Sequence, residues 1–457
     1  MAKKKQIELT IEEKLQNALV PKEEQPYKIP NNWCWVRLES INKYKSETLN
    51  PKNAMEKMFE LYSVPSFDNK YPEILIGKDI GSNKYIVKKN DILLCKINPR
   101  INRVWQVYQH TNFGQICSSE WIVIRNEILN KSFLRYYFTS EYFRNRLCEN
   151  VSGVGGSLTR AKPKLVQLYE VPLSPINEQQ RIVNIIESLF VKLDRAKELI
   201  ENTLAQFEQN KMAILHKAFT GELTAKWRKE NNIDLSSWKD VIMQDICEKI
   251  VCGKTPTGYI SKTGEIPYLK VYNIVDNKID FNKTAQFIPN KIHKEKLKSS
   301  ILKPNDIIMN IVGPPLRKIA IIPDNYPEWN MNQAIVRFRV KKDVMYKFIY
   351  YILIYPKTLD NIINKTKGVV GQANISITQS RNIQIKLPTI EEQQEIVNIL
   401  DKLLAKYNKI KNLEQQLEKI ELLKKAILAK AFRGELGTNN PDEESAENLL
   451  KEILAEK

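Results

Sequence analysis

The 457-residue chain carries one pattern twice. Ile176-Asn177-Glu178-Gln179-Gln180-Arg181-Ile182-Val183-Asn184-Ile185 recurs as Ile390-Glu391-Glu392-Gln393-Gln394-Glu395-Ile396-Val397-Asn398-Ile399, at an offset of 214. Further on, Lys217-Ala218-Phe219-Thr220-Gly221-Glu222-Leu223 recurs as Lys430-Ala431-Phe432-Arg433-Gly434-Glu435-Leu436, at an offset of 213. Fainter echoes lie upstream. Trp33 with Val36 and Ile41 returns as Trp238 with Val241 and Ile246. Asn90-Asp91-Ile92-Leu93 returns as Asn305-Asp306-Ile307-Ile308, and Gly153-Val154 with Gly156 as Gly368-Val369 with Gly371. A nearly constant offset across so long a window marks a tandem duplication. The fold must therefore be two copies of one unit.

Charge divides each copy into two parts. Residues 26–175 hold 22 basic and 13 acidic side chains, a balance of +9, and residues 231–388 hold 24 and 13, a balance of +11. Residues 1–25 balance to zero, 176–230 to +1 and 389–457 to −3. The net charge of +18 thus sits on two blocks of similar size. An even Lys-rich composition would spread it, whereas two basic bodies are the footprint expected of a polyanion binder.

The neutral segments read as long helices. Ile182, Ile186, Leu189, Leu193, Ala196, Ile200, Leu204 and Phe207 follow one another mostly by threes and fours. Ile396, Leu400, Leu403, Tyr407, Ile410, Leu413, Leu417 and Ile420 do the same. Such heptad-like stripes call for a partner helix. Ser174-Pro175 and Pro388-Thr389 are start signals, and Gly221 and Gly434 stops. Each helix would span roughly 60 Å if unbroken. Two equal stripes in one chain predict an intramolecular, antiparallel coiled coil.

The basic blocks combine strands with helices. Strands are predicted at 85–87, 91–95, 120–125, 306–311, 318–322 and 335–340, and helices near 132–149 and 342–364. Amphipathic helices are also predicted at 7–19 and 443–454. The fold class is α/β (α+β). The expected organisation is an N-terminal helical segment 1–25, a first basic domain 26–175, a central helical spacer 176–230, a second basic domain 231–388, a C-terminal helical spacer 389–437 and a tail helix 438–457.

Several chemistries lack their residues. Six scattered cysteines without a CxxC pair and three histidines make a structural zinc site improbable, and suggest reduced thiols in the cytoplasm. No run of 18 apolar residues and no apolar segment after the basic start suggest neither a membrane span nor a secretory signal. Asn98-Pro99-Arg100 and Gly313-Pro314-Pro315-Leu316 both miss the turn with which adenine methyltransferases grip a flipped base. Gly253-Lys254-Thr255 has Glu248 where a phosphate loop needs its first glycine. Asp324 with Glu328 is no nuclease metal pair, and HExxH and GxSxG are absent. The expectation is a chain that binds DNA and catalyses nothing.

The repeated INEQQRIV and LPTIEEQQ motifs, with Ala431-Phe432-Arg433-Gly434-Glu435-Leu436, resemble the specificity (S, or HsdS) subunits of type I restriction-modification systems. The resemblance covers nearly the whole chain, including Ile11-Glu12-Glu13-Lys14 and the 443–450 tail. It implies two target-recognition domains, each reading half of a bipartite, asymmetric double-stranded DNA site from the major groove. It implies that the paired helices set the half-site spacing. It further implies two modification (M) subunits carrying S-adenosylmethionine and two restriction (R) subunits using ATP and Mg, with no cofactor, metal or active site on this chain. Departures fall at Ser174, opposite Pro388, and at 152–159, which lacks the Gln372-Ala373-Asn374 of the second copy. Divergent loops suit domains that read different half-sites.

Major-groove readers should be polar and basic loop side chains. In the first domain these are Lys96, Asn98, Arg100, Asn102, Arg103 and Gln106, then Ser157, Thr159, Arg160 and Lys162. In the second they are Lys270, Tyr272 and Asn273, then Arg317 and Lys318, then Gln372 and Asn374. Gln179, Gln180, Gln393 and Gln394 are expected to cap or cross-link helices, or to meet the M subunit. Two other classes stay open: a self-contained DNA methyltransferase or endonuclease fragment, and a structural coiled-coil adaptor.

Overall fold

The computed structural model describes residues 9–152, 159–365, 374–408 and 411–456. The helices used below are α1 (Ile11–Ala18), α2 (Lys131–Thr139), α3 (Glu141–Glu149), α4 (Ile176–Phe219), α5 (Tyr346–Ile354), α6 (Pro356–Lys365), α7 (Ile390–Asn408), α8 (Lys411–Ala431) and α9 (Ala446–Ala455). The strands are β1 (Cys34–Arg37), β2 (Met58–Tyr62), β3 (Ile92–Cys95), β4 (Val104–Gln106), β5 (Gly114–Cys117), β6 (Trp121–Ile124) and β7 (Glu170–Leu173) in the first copy. The second has β8 (Lys239–Ile242), β9 (Cys247–Cys252), β10 (Ile266–Leu269), β11 (Ile307–Asn310), β12 (Ile319–Ile321), β13 (Asn330–Met331), β14 (Ile335–Val340) and β15 (Gln384–Leu387). Mixed α and β content with one 44-residue helix matches the expected class.

The chain divides into two compact units, and the division cuts through the helices. Unit 1 comprises residues 1–200 and 415–457, and unit 2 residues 201–414. Each basic domain thus groups with the near part of both spacers. In unit 1, Ile182, Val183 and Ile186 of α4 share a core with Leu428, Ala431 and Phe432. Asp194 pairs with Lys424, and Lys197 with Glu421 at 2.9 Å, so one number rises as the other falls and the helices run antiparallel. In unit 2, Leu215 and Ala218 at the end of α4 share a core with Ile396, Val397 and Leu400 of α7. Ile410 of the predicted stripe lies outside the described residues.

The two copies repeat their sheet pairings. Antiparallel β1–β7 in unit 1 matches β8–β15 in unit 2. Strand β3, flanked by β4 and β6, matches β11, flanked by β12 and β14. A parallel pair, β2–β5, matches β10–β13. Each predicted domain helix breaks once. Ser140 is extended and its hydroxyl caps α3 by accepting from Phe143 N, while extended Tyr355 ends α5 before Pro356.

The repeated motif residues are structural. Glu178 is fully buried and accepts from Trp33 Nε1 (2.7 Å), Thr438 Oγ1 (3.0 Å) and Asn439 Nδ2 (3.0 Å). Glu392, equally buried, accepts from Trp238 Nε1 (2.9 Å), Thr224 Oγ1 (2.6 Å) and Arg228 Nη1 (2.5 Å). Gln179 accepts from Asn130 N and donates to Ser174 O, as Gln393 accepts from Met345 N and donates to Pro388 O. Gln180 and Gln394 donate to Asn184 and Asn398, one turn on, each at 2.8 Å. Glu178 with Gln179, and Glu392 with Gln393, fasten each spacer helix to its unit, while the Gln180–Asn184 and Gln394–Asn398 bonds stay within their helices.

Candidate nucleic-acid interface

In each unit a buried ion pair fixes one end of the central strand. Asn90 and Asn305 take left-handed φ values of 75° and 70°, turning the chain into β3 and β11. Asp91 and Asp306, each 3% exposed at the side chain, accept both prongs of Arg125 and Arg339 at 2.6–2.8 Å. That fork geometry holds β3 on β6 and β11 on β14. Loops leave the opposite end of each strand, at Lys96 and Ile311.

Three segments converge there, stitched by backbone hydrogen bonds. In unit 1, Ala161 N donates to Lys96 O (2.9 Å), Asn98 N to Thr159 O (2.9 Å) and Lys96 N to Glu120 O (2.9 Å). In unit 2, Ile375 N donates to Ile311 O (2.9 Å) and Ile311 N to Ala334 O (2.9 Å). Each unit therefore builds one platform from the loop after the central strand, the turn before β6 or β14, and a later segment.

The platform gathers many of the predicted residues. Arg100, Arg160 and Lys162 are exposed, and Arg160 pairs with Glu120 at 3.3 Å. Lys96 and Thr159 are half-buried and joined through the backbone bonds above. Asn98 and Asn102 adopt left-handed φ of 49° and 52°. Their Oδ1 atoms, and Arg103 Nε, are buried without a hydrogen-bond partner among the described residues. In unit 2, Asn374 is exposed and bridges Val312. Lys318 N donates to Asn310 Oδ1 (2.8 Å), and Arg317, at φ 73°, pairs with Asp360. Lys270 leads out of β10, and Tyr272 beyond it is 44% exposed. Ser157 and Gln372 lie outside the described residues.

Two predicted readers have other roles. Gln106 is 7% exposed, donating to Asn90 Oδ1 and accepting from Tyr108 OH. Asn273 is fully buried, accepting from Lys270 N and donating to Asp280 O and Thr284 Oγ1. Both are buried and hydrogen-bonded within the scaffold. The turns Ser118-Ser119-Glu120 and Asn332-Gln333-Ala334 went unpredicted. The signal was present, since they precede the strands at 121 and 335, whose offset matches the repeat.

The cysteines are buried or half-buried free thiols. Burial pushes Cys247 up to about 12 and Cys252 to about 11. Among the described residues no group of three or more His, Cys, Asp or Glu could hold a metal, and no helix is long and apolar enough to cross a membrane.

A family model described as the type I restriction modification DNA specificity domain matches the chain twice, over residues 30–208 and 236–422. The chain belongs to this family. Each match runs from a basic domain into its following helix, reproducing the repeat. The specificity subunit of type I restriction enzyme EcoKI from Escherichia coli (strain K12) is 26% identical over 403 residues, 84% of either chain. The specificity subunit of type I restriction enzyme MjaVIII from Methanocaldococcus jannaschii is 24% identical over 451 residues, 92% of this chain and 96% of its own. Two solved chains share the fold. One, described under complex assembly and conformational transition of the type I R-M system, has a TM-score of 0.71 at 21% identity and covers 90% of this chain and 100% of its own. The HsdS subunit from Thermoanaerobacter tengcongensis scores 0.54 at 22% identity, with the same coverage.

Proposed function

We propose that this chain is the sequence-reading subunit of a cytoplasmic type I restriction-modification complex and performs no chemistry itself. Each platform reads one half of a bipartite, asymmetric site in double-stranded DNA, from the major groove. The carrying observation is that one three-segment scaffold is built twice and bears different side chains each time. Equal scaffolds predict equal docking on the duplex, and unequal side chains predict unequal half-sites. Exposed Arg100, Arg160 and Lys162, and Lys270 with Asn374, supply phosphate and base contacts. The spacer helices set the half-site separation and dock two M subunits, which bring S-adenosylmethionine and methylate adenine. Two R subunits add ATP- and Mg-dependent cleavage.

The test is methyl transfer reconstituted from purified parts. The chain alone should bind duplex DNA in a salt-sensitive way and transfer no methyl group from S-adenosylmethionine until an M subunit is added. Methylation by this chain alone would overturn the assignment.

A further inference from the structure

We propose that Gln333 reads a base in the second domain and that Thr255 positions it. The inference rests on the recognition role proposed above and names a determinant within it. Equivalent backbone bonds hold the Asn332–Ala334 turn and its counterpart Ser118–Glu120. Asn332 N donates to Leu269 O (3.0 Å) where Ser118 N donates to Tyr62 O (3.1 Å). Ile335 N donates to Asn332 O (3.2 Å) where Trp121 N donates to Ser118 O (3.1 Å). The side chains differ completely: Gln333 stands opposite Ser119, and Ala334 opposite Glu120. Where the copies share a structural task, as at Glu178 and Glu392, they share the side chain as well. A constant frame carrying exchanged polar groups is what discrimination between two half-sites requires.

Unit 2 adds a support that sharpens this. Gly253 N donates to Ile335 O (3.0 Å) and Lys254 N to Met331 O (3.2 Å), laying the 253–255 segment along the turn. A Cβ on Gly253 would come within 2.2 Å of Met331 O and of Asn332 O, so only glycine permits this approach. The approach brings the Thr255 hydroxyl to Gln333 Oε1, and both residues are exposed. Gln333 Oε1 thereby accepts from a neighbour while the residue remains exposed, and the amide NH2 is a further donor. Asn332 Oδ1, beside it, is buried and has no partner among the described residues. Exposed Lys254 adds positive charge to the same segment. An amide presenting both a donor and an acceptor matches adenine at N7 and N6.

The experiment uses the chain co-purified with its M subunit and a randomised duplex DNA library, sequencing the bound duplexes. The unaltered complex should select two half-sites, with adenine at one position lost in Gln333→Ala by on the order of tenfold in preference. Gln333→Glu should move that position toward cytosine, whose N4 amino group donates to a carboxylate. Thr255→Val should weaken the same position by less, a change that a merely structural role would not confine to one base. Half-site one and the spacing should stay as they were. If the unaltered complex selects no sequence, the recognition reading falls and this proposal with it. If it selects a bipartite site that Gln333→Ala leaves unchanged, or weakens uniformly at all sequences, the proposal alone is overturned.

Discussion

Glu178 and Glu392 occupy equivalent buried places but are balanced differently. Three neutral donors surround Glu178, whereas Glu392 faces the Arg228 guanidinium, whose side chain is 8% exposed. Removing one partner of a buried pair strands the other charge, at a cost of about 3–5 kcal/mol. Glu392→Ala should therefore destabilise unit 2 by that amount. Glu178→Ala strands three neutral donors in unit 1, at about 1–3 kcal/mol apiece where water cannot reach them, so its total cost is of the same order. Denaturant titration resolved by hydrogen exchange in each unit would measure both, and a cost below 1 kcal/mol for Glu392→Ala would contradict the pairing. The repeat made this level partly legible, since identical side chains at one offset report identical bonds. It could not separate a reader from a strut. Gln106 and Asn273 look like their loop neighbours in sequence, yet both are buried, and their partners Asn90, Asp280 and Thr284 lie 7 to 16 residues away.

Helices α4 and α8 were legible because periodicity is local, and antiparallel pairing followed from having two stripes in one chain. The parallel pairs β2–β5 and β10–β13 were not, because their partners are more than fifty residues apart and nothing nearby encodes the register. The tail was visible as a helix but not as a fastener. Arg181 holds both oxygens of Glu443 at 2.7 Å and donates to Thr438 O, beside the segment that leads into α9. Hydrogen bonding from Arg181 keeps the Glu443 carboxyl below its ordinary 4.5. A carboxyl depressed in the folded state adds stability above its unfolded value and loses it as pH falls through the folded one. Tail docking should thus hold at neutral pH and loosen below 4.5. Limited proteolysis at the tail would read this, and Glu443→Gln should show a smaller difference between the two conditions. The spacer makes its own prediction. Adding or deleting one turn, about 5.4 Å, within Ile182–Ala218 should shift half-site spacing by about one to two base pairs, leaving both half-sites unchanged. A changed half-site at constant spacing would refute the ruler role.

At the scale of the whole molecule, charge is the property that sequence reveals most directly, because long-range potential depends on how many cations a body carries more than on where each points. The blocks at +9 and +11 predict that both domains neutralise phosphates, and to a similar extent. Each phosphate neutralised releases counterions, contributing about 0.9 to the slope of log affinity against log salt. Arg100, Arg160 and Lys162 are exposed on the first platform, and among the described residues only Arg160 is engaged in an ion pair there, to a half-buried Glu120. Replacing all three by alanine should lower the slope by roughly 2–3 if each meets a phosphate. It should weaken binding to every sequence alike, because phosphate contacts carry register and not base identity. The second half-site should keep its selectivity, since no residue of the second domain is altered. Titrating binding across a salt series, with matched and mismatched duplexes for each half-site, separates these effects. An unchanged slope would remove the three cations from the interface, and lost selectivity at the second half-site would mean that the two copies do not read independently.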